Sequence, residues 1–261
     1  CAVPVTKTRY TVRKNKRTTV RVELCSLNQD SLSIVYDADL LQHPRAELFD
    51  PAYWQEQGGL AGEAVGRGSA LFLETPFGDA VLREYLRGGL PGRFIRDRYL
   101  FTGWERARPA AEFRVLAELS EAGLPVPVPI AAMTRRHGLY YGGSLMMRRI
   151  GEALPVADLM ATRSDRPEFW ARTGACIRRF HDHGVDHADL NARNILVDMA
   201  DSVYLIDFDR ARLGVKSRSA FEQNMNRLRR SFEKLWPEAV RGALDGCWEA
   251  LASGYRGEER V

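Results

Sequence analysis

Residues 187–209 read HADLNARNILVDMADSVYLIDFD. Two polar stations bracket two apolar runs. Asp189 and Asn194, five positions apart, precede the run Ile195 to Val197, and the run Val203 to Ile206 leads into Asp207, Phe208 and Asp209. Short apolar runs separated by a polar turn predict strand, turn, strand. A hairpin returns the chain to where it set out. A carboxylate and an amide ahead of it can therefore meet a second carboxylate behind it. The plain alternative is a polar turn between two strands, where Asp and Asn are ordinary.

The order H-x-D-x-x-x-x-N, strand, turn, strand, D-F-x resembles the catalytic and metal loops of the protein-kinase architecture. Phosphoryl transfer spreads charge over three equatorial oxygens and needs metal ions and an oriented nucleophile. In that reading Asp189 accepts the proton of the acceptor hydroxyl. Asn194 and Asp207 hold Mg²⁺, a hard cation that takes oxygen ligands and bound phosphates. His187 is expected to be a buried brace for the loop. His181, His183 and His187 are split between a helix end and a loop, which argues against zinc.

Upstream, Pro167 to His183 has the spacing of a helix with Trp170, Thr173, Ile177 and Phe180 on one face, closed by Gly184. Pro109 to Ala122 predicts another, with Phe113, Leu116, Ala117 and Ser120 on one face and Gly123 at its end. Between them, Ile130 to Met133 and Leu139 to Met147 read as strands around an Arg135 to Gly138 turn. Residues 148–154 read as a connector, where a nucleotide's base and ribose would be held by backbone groups.

Further back, Val65 to Ala70 is a glycine-rich bend containing Gly66 and Gly68. It opens a hairpin whose returning strand carries Arg83. Glycines let backbone N–H groups approach phosphate oxygens, and a strand-borne cation can pair with them. A simple turn accounts for the same residues. Glu112 either pairs with Arg83 or merely complements its helix dipole. Residues 32–36 predict a short strand at a sheet edge. Downstream of Asp209, Phe221, Met225, Leu228, Phe232 and Leu235 form one apolar stripe, and Val240, Leu244, Cys247, Trp248 and Leu251 another. Core packing explains both.

At 261 residues, 45% hydrophobic and 28% charged, the chain has the composition of a soluble globular protein, one large domain or two packed lobes. The four cysteines contain no CxxC pair and read as reduced thiols of a cytosolic protein. The net charge of +4 is local: residues 1–22 hold seven Lys and Arg and no acid, and the remainder balances 31 basic against 34 acidic residues, or −3. A nucleic-acid footprint over the whole surface is therefore not expected. The chain starts with Cys1, so it reads as a fragment, a processed product or an over-long reading frame. Residues 1–31 are expected to be a basic, disordered extension. A membrane-surface or nucleic-acid arm is the alternative.

Several stretches are similar to the Kdo (3-deoxy-D-manno-octulosonic acid) kinases of the lipopolysaccharide kinase superfamily. They are GRG at 66–68, VLREYLRGGL at 81–90, DRYLFTGWERARPAAEF at 97–113, GLPVPVP at 123–129, HADLNARNIL at 187–196 and LIDFDR at 205–210. The resemblance runs from Ser33 to the C-terminus and is most specific in residues 82–90 and in the DFDR ending.

It implies an α+β, protein-kinase-like two-lobed fold. Residues 32–150 would form an N-lobe of antiparallel sheet plus one helix, and residues 151–261 a mainly helical C-lobe. It also implies ATP- and Mg²⁺-dependent phosphorylation of the Kdo 4-hydroxyl on a lipid A precursor, by a peripheral protein at the cytoplasmic face of a Gram-negative inner membrane. Neither nucleic acid nor a protein partner is expected. Asp189 matches the catalytic aspartate, Asn194 and Asp207 the metal ligands, and Gly66 and Gly68 the phosphate loop, with Arg83 in place of the strand lysine and Glu112 its partner.

The departures from protein kinases are informative. Ala188 stands where most have Arg, which removes the receiver of an activation-loop phosphate. Asp209 replaces the glycine of D-F-G, and no A-P-E element follows. Another sugar, heptose or aminoglycoside phosphotransferase would use the same residues. A kinase-like scaffold would not need all three of Asp189, Asn194 and Asp207.

Overall fold

The computed structural model describes residues 5–6, 24–29, 31–64, 70–85 and 99–258. The chain divides into two compact units, Cys1–Gly123 with Pro127–Arg149, and Leu124–Val126 with Ile150–Val261.

The first unit is built on an antiparallel sheet. In chain order the strands are β1 (Val5–Thr6), β2 (Leu24–Gln29), β3 (Leu32–Asp37), β4 (Leu60–Ala64), β5 (Ala70–Leu73), β6 (Ala80–Glu84), β7 (Tyr99–Leu100), β8 (Pro129–His137) and β9 (Tyr140–Arg148). Their spatial order is β1-β2-β3-β8-β9-β6-β5-β4, with β7 pairing the start of β9. Side chains alternate between the two faces of a strand. On one face Ile34 and Tyr36 of β3, Leu71 and Leu73 of β5, and Ala80 and Leu82 of β6 form a core with Leu48, Phe49 and Trp54, from the turn and helix α1 (Pro51–Glu56) ahead of β4. Trp54 secures that cover by donating its indole N–H to Leu48 O at 2.8 Å.

Helix α2 (Arg108–Glu121) lies on the face that Tyr141, Gly143 and Leu145 of β9 present. A Cβ at Gly143 would strike Met133 O and come within 2.9 Å of Pro109 Cγ, so the glycine permits this approach. Phe113, Leu116 and Ala117 are buried as expected, with Leu119 joining them where Ser120 is only half buried. Burying Phe113 alone is worth about 1.5–3 kcal/mol.

Two expectations change. Residues 32–36 form no edge: β3 lies between β2 and β8, because residues 24–29, read as part of an extension, pair with it from Leu24↔Asp37 to Gln29↔Leu32. The strands of the β8–β9 hairpin also run further, and the turn tightens to Gly138 and Leu139, with Gly138 at φ 63°. The basic residues between 7 and 21, the bend with Gly66 and Gly68, and residues 86–98 lie outside the described residues.

The second unit combines a three-stranded sheet with helices. Strand β10 (Leu154–Pro155) leads into α3 (Val156–Leu159) and α4 (Pro167–Asp182). Strands β11 (Ile195–Val197) and β12 (Val203–Leu205) follow, then α5 (Arg218–Leu235) and α6 (Leu244–Arg256). The sheet order is β10-β11-β12. Leu124–Val126 belongs here through Pro125, whose carbonyl accepts from Leu205 N at 3.0 Å. Trp170 of α4, fully buried, packs against Phe232 and Trp236 with ring centroids 5.5 Å away in each case. Helices α4 and α6 cross closely at paired glycines: a Cβ on Gly174 would collide with Leu251 O, and one on Gly254 with Ala171 O. No helix among the described residues is long and apolar enough to cross a membrane.

Candidate active site

The loop that carries Asp189 begins at the end of α4. Gly184, at φ 78°, turns the chain in a left-handed conformation that suits glycine and lies within 3.0 Å of Val215 O, measured from an ideal Cβ. Asp186 then pairs with Arg212 through two backbone hydrogen bonds of 2.8 and 3.0 Å, and its carboxylate accepts from Arg212 Nε and Nη2 at 3.0 and 2.5 Å. Two turns follow, Leu190 N to His187 O and Asn194 N to Asn191 O, each 3.0 Å. Asn191 stabilises the second by accepting from Arg193 N at 2.9 Å.

Helix α5 grips this loop from one side. Asn224 Oδ1 accepts from His187 N at 2.9 Å, Ser231 Oγ accepts from Ala192 N at 3.1 Å, and Arg227 Nη1 approaches Asp189 Oδ1 at 3.8 Å. Asn224 also donates to Asp186 Oδ1 at 2.8 Å, and its oxygen faces His181 Nε2 at 3.3 Å. An amide oxygen only accepts, so His181 carries its proton on Nε2, and Nδ1 receives the Tyr255 hydroxyl at 2.7 Å. Burial pushes the His181 pKa down to about 4. His187, buried as the sequence suggests, has its pKa lowered for the same reason. Its Nε2 donates to Ile206 O at 2.9 Å, and the ring packs 4.8 Å from Phe208.

The hairpin joins the two acidic stations. Ile195↔Leu205, Leu196↔Tyr204 and Val197↔Val203 set the register. Asp198 closes the turn by accepting from Ala200 N and Ser202 N at 2.9 and 2.8 Å, bonds that hold its carboxyl below the usual range. The ladder extends by Ile206 N to Asn194 O at 3.0 Å, so Asn194 stands beside the residue that precedes Asp207. Asn194 Nδ2 donates to the backbone oxygen of Asp189 at 2.9 Å. The chain thus gathers Asp189, Asn194 and Asp207 into one loop cluster.

Asp207 sits at φ 65°, a left-handed conformation that costs a non-glycine residue about 1–3 kcal/mol and that Asp tolerates better than most. Asp189 is 54% exposed at its side chain. With Nδ2 engaged, Asn194 Oδ1 remains an acceptor. An amide oxygen and a carboxylate form a hard, sparse donor set, and no group of three or more His, Cys, Asp or Glu suited to a metal exists among the described residues. Such oxygens could hold Mg²⁺, which keeps waters and substrate phosphates in most of its positions.

In the first unit Arg83 and Glu112 meet. The Arg83 guanidinium pairs with Glu112 Oε2, and the Tyr85 hydroxyl donates to the same oxygen. Arg83 Nη2 also donates to Tyr85 Oη at 2.9 Å, with its guanidinium 4.9 Å over that ring. Glu112 is 2% exposed, so the pair is a structural commitment as well as a charge contact. Burial, then the Glu112 charge, pushes the Tyr85 phenol far up.

Residues 51–255 match the model of the lipopolysaccharide kinase (Kdo/WaaP) family. The chain belongs to that family. It is 39% identical over 233 residues to a protein of Vibrio vulnificus (strain YJ016) named 3-deoxy-D-manno-octulosonic acid kinase, a match covering 87% of this chain and 95% of that one. Proteins of the same name from Xylella fastidiosa (strain M23) and Stenotrophomonas maltophilia (strain R551-3) are 42% and 45% identical, over 224 and 203 residues. Those matches cover 85% and 78% of this chain and 89% and 81% of the relatives. The protein is a kinase by this membership.

Three residues around the family's loops escaped sequence reasoning. Tyr85 was legible in principle, because strand alternation puts it on the same face as Arg83. Asn224 and Ser231 lie seven positions apart on α5, within a stripe that reads as core. The signal for Asn224 was a polar residue in that stripe.

Proposed function

We propose that the protein transfers the terminal phosphate of ATP to the 4-hydroxyl of the Kdo sugar on a lipid A precursor, in assembly of the lipopolysaccharide inner core. The work would be done at the cytoplasmic face of the inner membrane, in peripheral contact with it. The observation that carries this is the cluster of Asp189, Asn194 and Asp207 on a backbone held by hydrogen bonds, in a chain whose relatives bear the name of Kdo kinase.

Asp189 takes the proton from the acceptor hydroxyl as its oxygen attacks the terminal phosphorus. Its half-exposed carboxylate suits a group that must meet substrate. Asn194 and Asp207 would hold Mg²⁺, which when bound offsets the charge of the phosphate oxygens. Arg83, paired with Glu112, would contact the phosphates; its fork cannot deprotonate and takes oxygens in pairs. Gly66 and Gly68 would supply the remaining phosphate contacts. In this kinase-like division of labour the first unit holds nucleotide and the second carries the transfer chemistry.

A related sugar phosphotransferase would share every one of these residues, so the acceptor is what experiment must identify. Kdo-lipid IVA incubated with the protein, Mg²⁺ and labelled ATP should gain the mass of one phosphate, located on the Kdo at its 4-hydroxyl. Label transferred to another sugar position, or to none, would overturn the assignment.

A further inference from the structure

Helix α5 carries two kinds of cation. Arg218 pairs with Glu222 at 3.1 Å, and Arg229 pairs with Glu233 at 2.9 Å and with Asp245 at 2.7 Å. Arg227, Arg230 and Lys234 are exposed and have no such partners among the described residues, apart from the 3.8 Å approach of Arg227 to Asp189. At i, i+3 and i+7 these three fall in one stripe about 60° wide and about 10 Å long. The stripe borders the face from which Asn224 and Ser231 hold His187 and Ala192. A row of exposed cations therefore runs along the catalytic loop and begins beside Asp189.

Proton transfer does not call for a cation there. At 3.8 Å, with side chains 49% and 54% exposed, the contact holds neither partner firmly. A cation so placed is accounted for by a second anion arriving with the substrate.

We propose that Arg227, with Arg230 and Lys234 behind it, forms the subsite for the acceptor's anionic groups, and that Arg227 takes the carboxylate of the sugar being phosphorylated. The inference rests on the acceptor assigned above, an octulosonic acid, which carries a carboxylate by its chemistry. The planar fork of an arginine takes a carboxylate through two parallel hydrogen bonds, which fixes the sugar's orientation as well as its affinity. The hydroxyl presented to Asp189 is then chosen by the sugar's own carboxylate.

Steady-state kinetics of the full chain test this, with Kdo-lipid IVA and with the same acceptor whose Kdo carboxyl is converted to a primary amide. Arg227→Gln should raise the KM for the acid acceptor about 10- to 100-fold, the worth of a lost charge-assisted contact. The KM for ATP should not follow. Wild-type protein should show a similar rise on the amide, to which Arg227→Gln adds nothing. Arg227→Lys, which keeps the charge without the fork, should recover part of the loss on the acid.

An acceptor KM unmoved in Arg227→Gln overturns the subsite. So does a rise of equal size on acid and amide, or a loss confined to kcat or to ATP. Wild-type protein that leaves the acid acceptor unphosphorylated brings down the acceptor assignment, and the subsite with it. Wild-type turnover beside an indifferent Arg227→Gln removes the subsite alone.

Discussion

Each unit sets a carboxylate at the centre of a polar cluster, and the two are treated in opposite ways. Glu112 in the first unit is 2% exposed, and both Arg83 and Tyr85 donate to it. Asp189 in the second is 54% exposed. The side chains around its loop (Asn224, Ser231 and Asn194) grip backbone atoms, and His187 reaches across to another carbonyl. A buried carboxylate must be neutralised by its neighbours or pay heavily in desolvation. One left half in water on a hydrogen-bonded loop stays open to a substrate. The first cluster ties β6 to α2, and the second leaves its carboxylate accessible.

Substitutions should separate the two. Asp189→Asn should lower turnover about 100- to 10,000-fold, the range for a general base, while its melting temperature stays close to wild type. A phosphate-transfer assay and a thermal melt read the two halves, and near-normal turnover would break the comparison at its functional end. Glu112→Ala should do the reverse first. It strands Arg83 beside a buried site and should cost about 3–5 kcal/mol of stability, seen in urea denaturation followed by tryptophan fluorescence. A loss below 1 kcal/mol would mean that the pair is ornamental.

The network behind the second loop predicts a pH dependence. Folding depresses the His181 pKa to about 4 from 6.5. Between those values the unfolded chain binds a proton that the folded chain refuses. The stability from neutral His181 is full above pH ~6.5 and is lost as pH falls toward 4, on the order of 3 kcal/mol at most. Buried His187, also depressed, acts in the same direction. Melting temperatures at pH 7 and 4.5 should differ less in His181→Gln than in wild type, and equal differences would show that His181 does not titrate in this window. The smallest effect is Tyr85→Phe, which removes the phenol's hydrogen bond to Glu112 and should cost about 1 kcal/mol. A cost matching that of Glu112→Ala would make the phenol, and not the guanidinium, the main partner.

Much of this was legible. The hairpin from Ile195 to Leu205 and the faces of α2 and α4 follow from local periodicity, which acts over a few residues. Where reading failed, the deciding partner lay far off. Residues 32–36 looked like an edge because their outer neighbour comes from 24–29, in a segment whose charge suggested an extension. Asn224 drew no reading within its apolar stripe, because its partner His187 is 37 positions away. Pro125 sits in a stiff proline run with no sign that its carbonyl would serve Leu205.

By itself, the sequence determined the spacing of Asp189, Asn194 and Asp207, because a five-residue loop and a short hairpin leave the backbone few ways to arrange them. It determined the strand and helix faces too, since those periods are properties of the backbone. Only the tertiary structure decided which carboxylate would be buried and which left open, and that α5 would clasp the loop at His187 and Ala192. The physical reason is that burial and hydrogen-bond satisfaction depend on residues brought together across tens of positions, and no local period encodes such partners.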